Sequence, residues 1–175
     1  SYRFGGIGWL LESDVMFVIG VNHTKLDAAT YLSLSFYDTV DAWGKASSSQ
    51  TNGTAVGFSQ GDFNGSAENV LGALGLLSQV SATLNGNLSD LYVIVVNREK
   101  SSEVFNAICS NDEGPCVTLS EQDLGYEQDD ILTISQRAYI KPGSTRGTAP
   151  GSLINSRVVG RQSNPFGNAF DSPLR

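Results

Sequence analysis

One stretch of the chain limits the possible folds more than any other: the run LYVIVVN at residues 91–97. It is continuously apolar up to its final Asn97 and has the length of a strand. Such a run is typical of a strand that is buried on both faces, whereas a strand with one wet face alternates between apolar and polar residues. We therefore expect a sheet that has further structure packed against it.

Three other segments predict strands. The run DVMFVIGVN (14–22) is β-branched and aromatic and ends in a turn, and ATYLSLSFYD (29–38) alternates between apolar and polar residues. We expect these two to form a hairpin, with the only histidine, His23, in its solvated turn. The segment DILTISQRAYI (130–140) alternates in the same way, and a short strand is expected near residues 55–58.

Helical patterns are shorter. SSEVFNAIC (101–109) has a Ser cap, an early acid and apolar residues at helical spacing, and CVTLS (116–120) after it predicts a strand, which would complete a right-handed βαβ unit. The apolar pattern of residues 67–87 fits either a helical face or a strand. Gly72 and Gly75 weaken a long helix by about 1 kcal/mol each, so a brief helical or irregular piece followed by a strand is at least as well supported. The chain is expected to be α+β: a mixed, mainly antiparallel sheet, one or two short helices and a long irregular C-terminal arm.

The charge distribution divides the chain into a β-rich globular domain, residues 1–140, and an extended arm, residues 141–175. The first part carries six basic and seventeen acidic side chains, a net charge of −11, and the second carries five basic and one acidic, a net charge of +4. The arm is rich in Gly, Pro, Ser and Asn, so it cannot form regular structure of its own. It needs a surface on which to dock.

Within the arm, LINSRVV (153–159) has strand propensity but no adjacent hairpin partner. We expect this segment to leave its own domain and complete the sheet of an acidic neighbour. The residues expected to bind the neighbouring subunit are Leu153, Ile154, Arg157, Val158, Val159 and Arg161. The alternative, that the arm folds back across its own domain, stays open.

Cysteines and sequons indicate an extracellular protein. Cys109 and Cys116 flank turn-forming residues in CSNDEGPC, which can bring the two thiols within range of a disulfide, and we predict that disulfide. The alternatives are a pair of free thiols or half of a metal site, although one histidine and no third cysteine cannot complete a usual zinc site. Four N-x-S/T sequons predict covalent N-glycans on exposed loops, with Ser/Asn-rich loops as the alternative. Their acceptors are Asn22, Asn52, Asn64 and Asn87. The chain begins at Ser1 without a leader pattern, so we expect any signal peptide to be removed or to lie outside this sequence.

Other classes of chemistry have little support in the sequence. No Gly-rich loop has a phosphate-binding ending, no G-x-S-x-G elbow selects a serine to act with His23, and no dense basic block predicts nucleic-acid binding. The acidic segment 121–130 could hold calcium, but a solvated loop is the preferred interpretation. We expect no cofactor, no resident metal, no nucleic-acid partner and no transmembrane segment.

Three segments carry a resemblance: DVMFVIGVNHTKLDAATYLSLSFYD, LYVIVVNREKSSEVFNAI and DILTISQRAYIKPGSTRGT. Together they resemble a poorly characterised group of secreted β-rich proteins of algae and bacteria, over about two-thirds of the chain. The resemblance rests on strand patterns, so it implies secretion and a β-rich fold. It implies no known function and transfers no site residues.

These observations favour a non-enzymatic extracellular glycoprotein with a structural or assembly role, a surface, matrix or filament subunit. Its partners would be copies of itself or another extracellular protein. A secreted carbohydrate-binding module is the alternative, with aromatic rings such as Trp9 or Trp43 stacking on sugars. A secreted hydrolase is the less favoured third class.

Overall fold

The structure is a computed structural model, and it describes residues 2–9, 14–38, 57–58, 60–85, 87–97, 103–109, 115–119, 131–139, 143, 154 and 156–161. The strands are β1 (Tyr2–Trp9), β2 (Val15–Val21), β3 (Tyr31–Asp38), β4 (Gly57–Phe58), β5 (Leu91–Asn97), β6 (Cys116–Thr118), β7 (Ile131–Tyr139) and β8 (Arg157–Arg161). The helices are α1 (Gln60–Phe63), α2 (Ser66–Ala73), α3 (Leu77–Thr83), α4 (Glu103–Ile108) and a 3-10 helix at Asn87–Asp90. The α+β class is confirmed, with more helices in this described part than the one or two expected.

The strands form two four-stranded sheets that lie face to face. Sheet A has the order β1-β7-β3-β4 and sheet B the order β6-β5-β2-β8, and every pair is antiparallel except β5 with β6. Buried side chains of both sheets share one cluster, which shows that the sheets pack on each other. Its members include Leu32, Leu34, Phe36, Ile134 and Ala138 of sheet A and Met16, Val18, Tyr92, Ile94 and Val96 of sheet B.

Strand β5 confirms the interpretation of the apolar run. Its residues Tyr92, Ile94 and Val96 point between the two sheets, whereas Val93 and Val95 point to the opposite face of sheet B. On that opposite face they pack against Ala67 and Val70 of α2 and Phe105 of α4. The described part of the chain therefore has three layers, sheet A, sheet B and helices, and β5 lies in the middle layer.

The predicted hairpin between the second and third strands is wrong, although both strands form. Strand β2 pairs with β5 and β8 in sheet B, and β3 pairs with β7 and β4 in sheet A. The segment between them crosses from one sheet to the other. The physical reason is that both strands present an apolar face to the same core, which they can share from opposite sheets as well as from one.

The described residues of the ambiguous segment, 67–85 and 87, form helices joined by turns, so the strand predicted within it is wrong. Helices α2 and α3 are separated by a break in which Gly75 has a φ of +69°, a left-handed conformation that glycine adopts without steric cost. The βαβ unit is confirmed, because α4 connects β5 to the parallel strand β6. The predicted disulfide is also present, with Cys109 and Cys116 joined across a separation of seven residues.

The strand predicted in the arm forms as β8, four residues later than the predicted start at Leu153. It pairs antiparallel with β2, with Val158 opposite Val18 and Val159 opposite Phe17, and so becomes an edge strand of sheet B in its own chain. For this segment the structure shows the fold-back that the sequence left open. Leu153, the acidic residues 121–130, Asn52 and Trp43 lie outside the described residues. No helix in the described ranges is long and apolar enough to cross a bilayer.

Candidate functional site at the C-terminal strand

The C-terminal strand docks where three buried polar side chains meet the edge of β2. They are His23 after β2, Tyr92 on β5 and Gln136 on β7. We call these side chains, together with the β2 residues 15–19 that pair with β8, the arm seat. The arm seat is built from β2 and the turn that follows it, β5 and β7, so it exists only in the folded domain.

Ser156, the residue before β8, links the two sheets inside the arm seat. Its hydroxyl lies 2.5 Å from the Tyr92 hydroxyl of sheet B and donates to Gln136 Oε1 of sheet A at 2.9 Å. Its backbone N–H donates to the same Gln136 oxygen at 3.2 Å. One small side chain thus connects both sheets to the start of the docked strand.

The direction of these hydrogen bonds follows from chemistry. The amide oxygen of Gln136 has no proton, so both Ser156 groups must donate to it. The single hydroxyl proton of Ser156 is then committed, and the Tyr92 hydroxyl must donate to Ser156 Oγ. The chain of donors runs from Tyr92 through Ser156 to Gln136. A side chain at position 156 must therefore accept and donate at the same atom.

A glycine makes room for Tyr92 in the arm seat. Gly20 lies directly opposite Tyr92 in the β2–β5 ladder, and a Cβ atom at Gly20 would overlap the ring and hydroxyl of Tyr92. The ring also packs against Phe63, with centroids 4.5 Å apart. The Tyr92 ring approaches the β2 backbone so closely that position 20 must be glycine. In this position the Tyr92 hydroxyl reaches Ser156.

Burial also sets the protonation of Tyr92. Loss of solvent around the phenol raises its pKa from 10.0 to about 12, and the hydrogen bond with Ser156 acts in the opposite direction. The desolvation effect is the larger of the two. Tyr92 therefore stays a neutral hydrogen-bond donor throughout the neutral pH range.

His23 binds the arm at Ile154, two residues before Ser156. Its Nε2 atom accepts from the N–H of Ile154 at 3.2 Å in one tautomer, and in the other it donates to the Ile154 carbonyl oxygen at 3.1 Å. The expectation that His23 lies in a solvated turn is wrong, because the side chain is only 1% exposed. The main chain of Ile154 bonds to His23 and the N–H of Ser156 bonds to Gln136, and β8 begins after them, at Arg157.

Asn22 has a structural role, so the expectation that it stands exposed for glycosylation is wrong. The side chain is fully buried; its Oδ1 accepts from Thr24 at 2.6 Å and its Nδ2 donates to Asn64 at 3.2 Å. A glycan would be attached at that same nitrogen, for which this packing leaves no space. The Asn-His-Thr pattern is explained by the Asn22–Thr24 hydrogen bond within the turn.

The other sequons differ from the first. Asn64 and Asn87 are exposed, and their glycosylation stays a prediction. The hydroxyl of Ser66, in the Asn64 sequon, donates to the Phe63 carbonyl at 2.9 Å and accepts from the Val93 N–H at 3.1 Å. This serine therefore also joins α2 to β5, whatever the glycosylation state of Asn64.

The predicted arm residues take different positions. Val158 faces the core between the sheets, Val159 is 55% exposed on the opposite face, and the Ile154 side chain points to solvent. Arg157 is exposed and Arg161 ends the strand opposite Val15. The disulfide lies on the helix-covered face of sheet B, and its Cys116 begins β6, the edge strand at the opposite side of the sheet from β8.

Sequence reasoning missed Tyr92, Gln136 and Ser156 as partners. Gln136 was visible as a polar residue between Ile134 and Ala138, on the face of β7 that alternation assigns to the core. Tyr92 was hidden in an apolar run, and Ser156 is one of many serines in the chain. Among the residues that the structure describes, no group of three or more His, Cys, Asp or Glu side chains could hold a metal ion.

Comparison of the chain with protein-family models, curated proteins and solved structures found no match. The fold and the arm seat are therefore described from this chain alone, and the resemblance to secreted β-rich proteins stays a prediction.

Proposed function

We propose that this chain is a non-enzymatic structural subunit of an extracellular assembly, in which the C-terminal strand of one copy occupies the arm seat of another. The supporting observation is the arm seat itself. It combines the edge of β2 with buried side chains that bind the arm. His23 and Ile154, which are in contact there, are 131 residues apart in the sequence. Because these contacts join parts so far apart in sequence, two chains can make them as well as one.

The chain between the domain and the strand is long enough for exchange. Fourteen residues separate Tyr139 of β7 from Ile154, among them Pro142, Gly147 and Pro150. A segment of that size spans up to about 50 Å when extended. The strand can therefore reach the arm seat of its own domain or that of a neighbour.

Charge favours the same contact. The first 140 residues carry a net charge of −11 and the arm +4, so the arm is attracted to its own domain and to every other copy. The disulfide supports an oxidising, extracellular location, because disulfides persist there and are rare in the cytosol.

A matched pair of variants tests the assembly. Val158→Glu places a carboxylate on the core-facing side of β8, and Val159→Glu places it on the exposed side of the same strand. We expect light scattering of the full chain to give a concentration-dependent mass above the 18.6 kDa of one chain. Val158→Glu should reduce the mass to that of one chain, and Val159→Glu should leave it unchanged.

Two results of this experiment would contradict the proposal. A mass of one chain for the unchanged protein at every concentration removes the assembly role. Equal loss of mass in both variants also counts against strand exchange, because it would show that the assembly does not depend on which face of β8 carries the charge.

Glycan mapping tests the location. In protein from its native source we expect glycans at Asn64 or Asn87, which are exposed, and an unmodified Asn22. Peptide mass spectrometry after enzymatic deglycosylation distinguishes the sites. Unmodified asparagine at every sequon would contradict the predicted N-glycans and remove their support for the extracellular location.

A further inference from the structure

We propose that Ser156 is the residue by which the arm seat selects its strand, so that the partner is the arm of a second copy of this chain, held in a single register. This inference rests on the proposed strand exchange and adds the identity of the partner. Tyr92 and Gln136 would favour a strand that places a serine hydroxyl between them, over other strands and over the same strand in another register.

Backbone pairing alone cannot give this selectivity. In a β-ladder a slip of one residue turns every side chain to the wrong face, but a slip of two residues keeps the faces. A strand shifted by two on β2 would still present one row of side chains to the core and the other to solvent. The ladder between β2 and β8 is five residue pairs long and ends at Arg157, so it offers few contacts to oppose that slip.

Tyr92 and Gln136 of the arm seat oppose a slip of two residues. A slip of two residues brings Ile154 or Val158 to the position of Ser156. An apolar side chain there can neither accept from the Tyr92 hydroxyl nor donate to Gln136 Oε1, and both groups are buried. Unpartnered buried polar groups disfavour the slipped register by about tenfold to a hundredfold. A foreign strand without a hydroxyl at this position is rejected for the same reason.

Cysteine cross-linking measures the register directly. Phe17 lies opposite Val159, and Arg157 and Arg161 are the residues two positions before and after Val159 along β8. One set of full-length proteins carries Phe17→Cys together with Val159→Cys, Arg157→Cys or Arg161→Cys in the same chain. A second set carries Phe17→Cys in one chain and the β8 cysteine in another, and the two chains are refolded together in a glutathione redox buffer. Mass spectrometry of the disulfides gives the yield at each position.

We expect the yield at position 159 to exceed those at 157 and 161 by tenfold or more in both sets. Ser156→Ala should reduce that preference to less than threefold, whereas Ser156→Thr, which keeps a hydroxyl, should retain it. A merely structural serine would change total yield without changing the distribution among positions. If Phe17→Cys impairs folding, Ile19→Cys, opposite Arg157, replaces it and shifts the expected maximum to position 157.

The two sets separate the two proposals. A preference for position 159 within one chain, with no product between chains, overturns the assembly and the second copy as partner. Products between chains at equal yield in all three positions overturn the selection by Ser156 and leave strand exchange standing. A preference that survives Ser156→Ala also overturns the selection.

Discussion

Strands β5 and β8 lie on the two sides of β2, yet different forces hold them. Val18 of β2 has Ile94 of β5 opposite it on one side and Val158 of β8 on the other, all facing the same core. Ile94 is fully buried, and the neighbours of β5 cover both faces of sheet B, whereas Val158 is only partly buried. Apolar burial therefore fixes β5, and β8 depends on a short ladder and a few polar contacts. A strand held in this second way can leave the sheet without unfolding the domain.

The largest test of this difference truncates the two residues opposite Val18. Ile94→Ala should lower the free energy of unfolding by about 4 kcal/mol, because it opens a cavity between two sheets. Val158→Ala should lower it by about 1 kcal/mol, since its site at the sheet edge is already partly open to solvent. Urea unfolding followed by circular dichroism gives both values. Equal losses would mean that β8 is as much a part of the core as β5.

The second test measures how stability depends on pH through Tyr92, the residue of β5 that contacts the arm. Burial raises the pKa of Tyr92 to about 12, so between pH 10 and pH 12 the unfolded chain loses this proton while the folded chain keeps it. Stability is unaffected by this group below pH 10 and falls as pH rises toward 12, by roughly 2 to 3 kcal/mol.

Spectroscopic titration of the six tyrosines checks this prediction. We expect one phenol to titrate near pH 12 in the folded protein and to disappear from the curve in Tyr92→Phe. A Tyr92 that titrates near its ordinary value of 10.0 would contradict the packing of its ring between Gly20 and Phe63.

The contrast between the two strands also explains what the sequence could predict. The apolar run of β5 specifies a strand covered on both faces, and the alternation in β3 and β7 specifies strands with distinct faces. Such local patterns do not specify which strands pair, which is why the hairpin between β2 and β3 was predicted wrongly. Pairing depends on contacts far apart in sequence, such as those of β2 with β5 and β8.

The arm seat could not be predicted from local sequence patterns, because its contacts also join residues that are far apart in the sequence. Tyr92, Gln136 and Ser156 lie on three separate elements, and only tertiary structure brings their polar atoms together. From the sequence alone, His23 is expected in a solvated turn, because a glycan on Asn22 would keep its neighbour exposed. His23 is buried, and its contact with the main chain of Ile154, 131 residues away, is one that its position in the sequence does not reveal.

The third test examines the polar contacts that hold β8. Ser156→Ala leaves the buried Tyr92 hydroxyl without its acceptor and should destabilise the docked strand by about 1 to 2 kcal/mol. In the Tyr92→Phe background the same change should cost less, because the hydroxyl that needs Ser156 is gone. Thermal unfolding of the two single variants and the double variant gives this coupling, and strictly additive losses would show that the two residues do not interact.

The smallest effect concerns the charge of the arm. Arg157 is exposed, so its attraction to the acidic domain is screened by water, and Arg157→Gln should weaken β8 by less than about 0.5 kcal/mol at low salt. At about 1 M salt the Debye length falls to about 3 Å and the difference should vanish. Amide hydrogen exchange of residues 157–161 measures it, with β5 as the internal reference, because β5 exchanges through global unfolding and β8 through local detachment. A salt-independent loss of protection would assign Arg157 a packing role, and an equal loss in β5 would mean that the two strands unfold together.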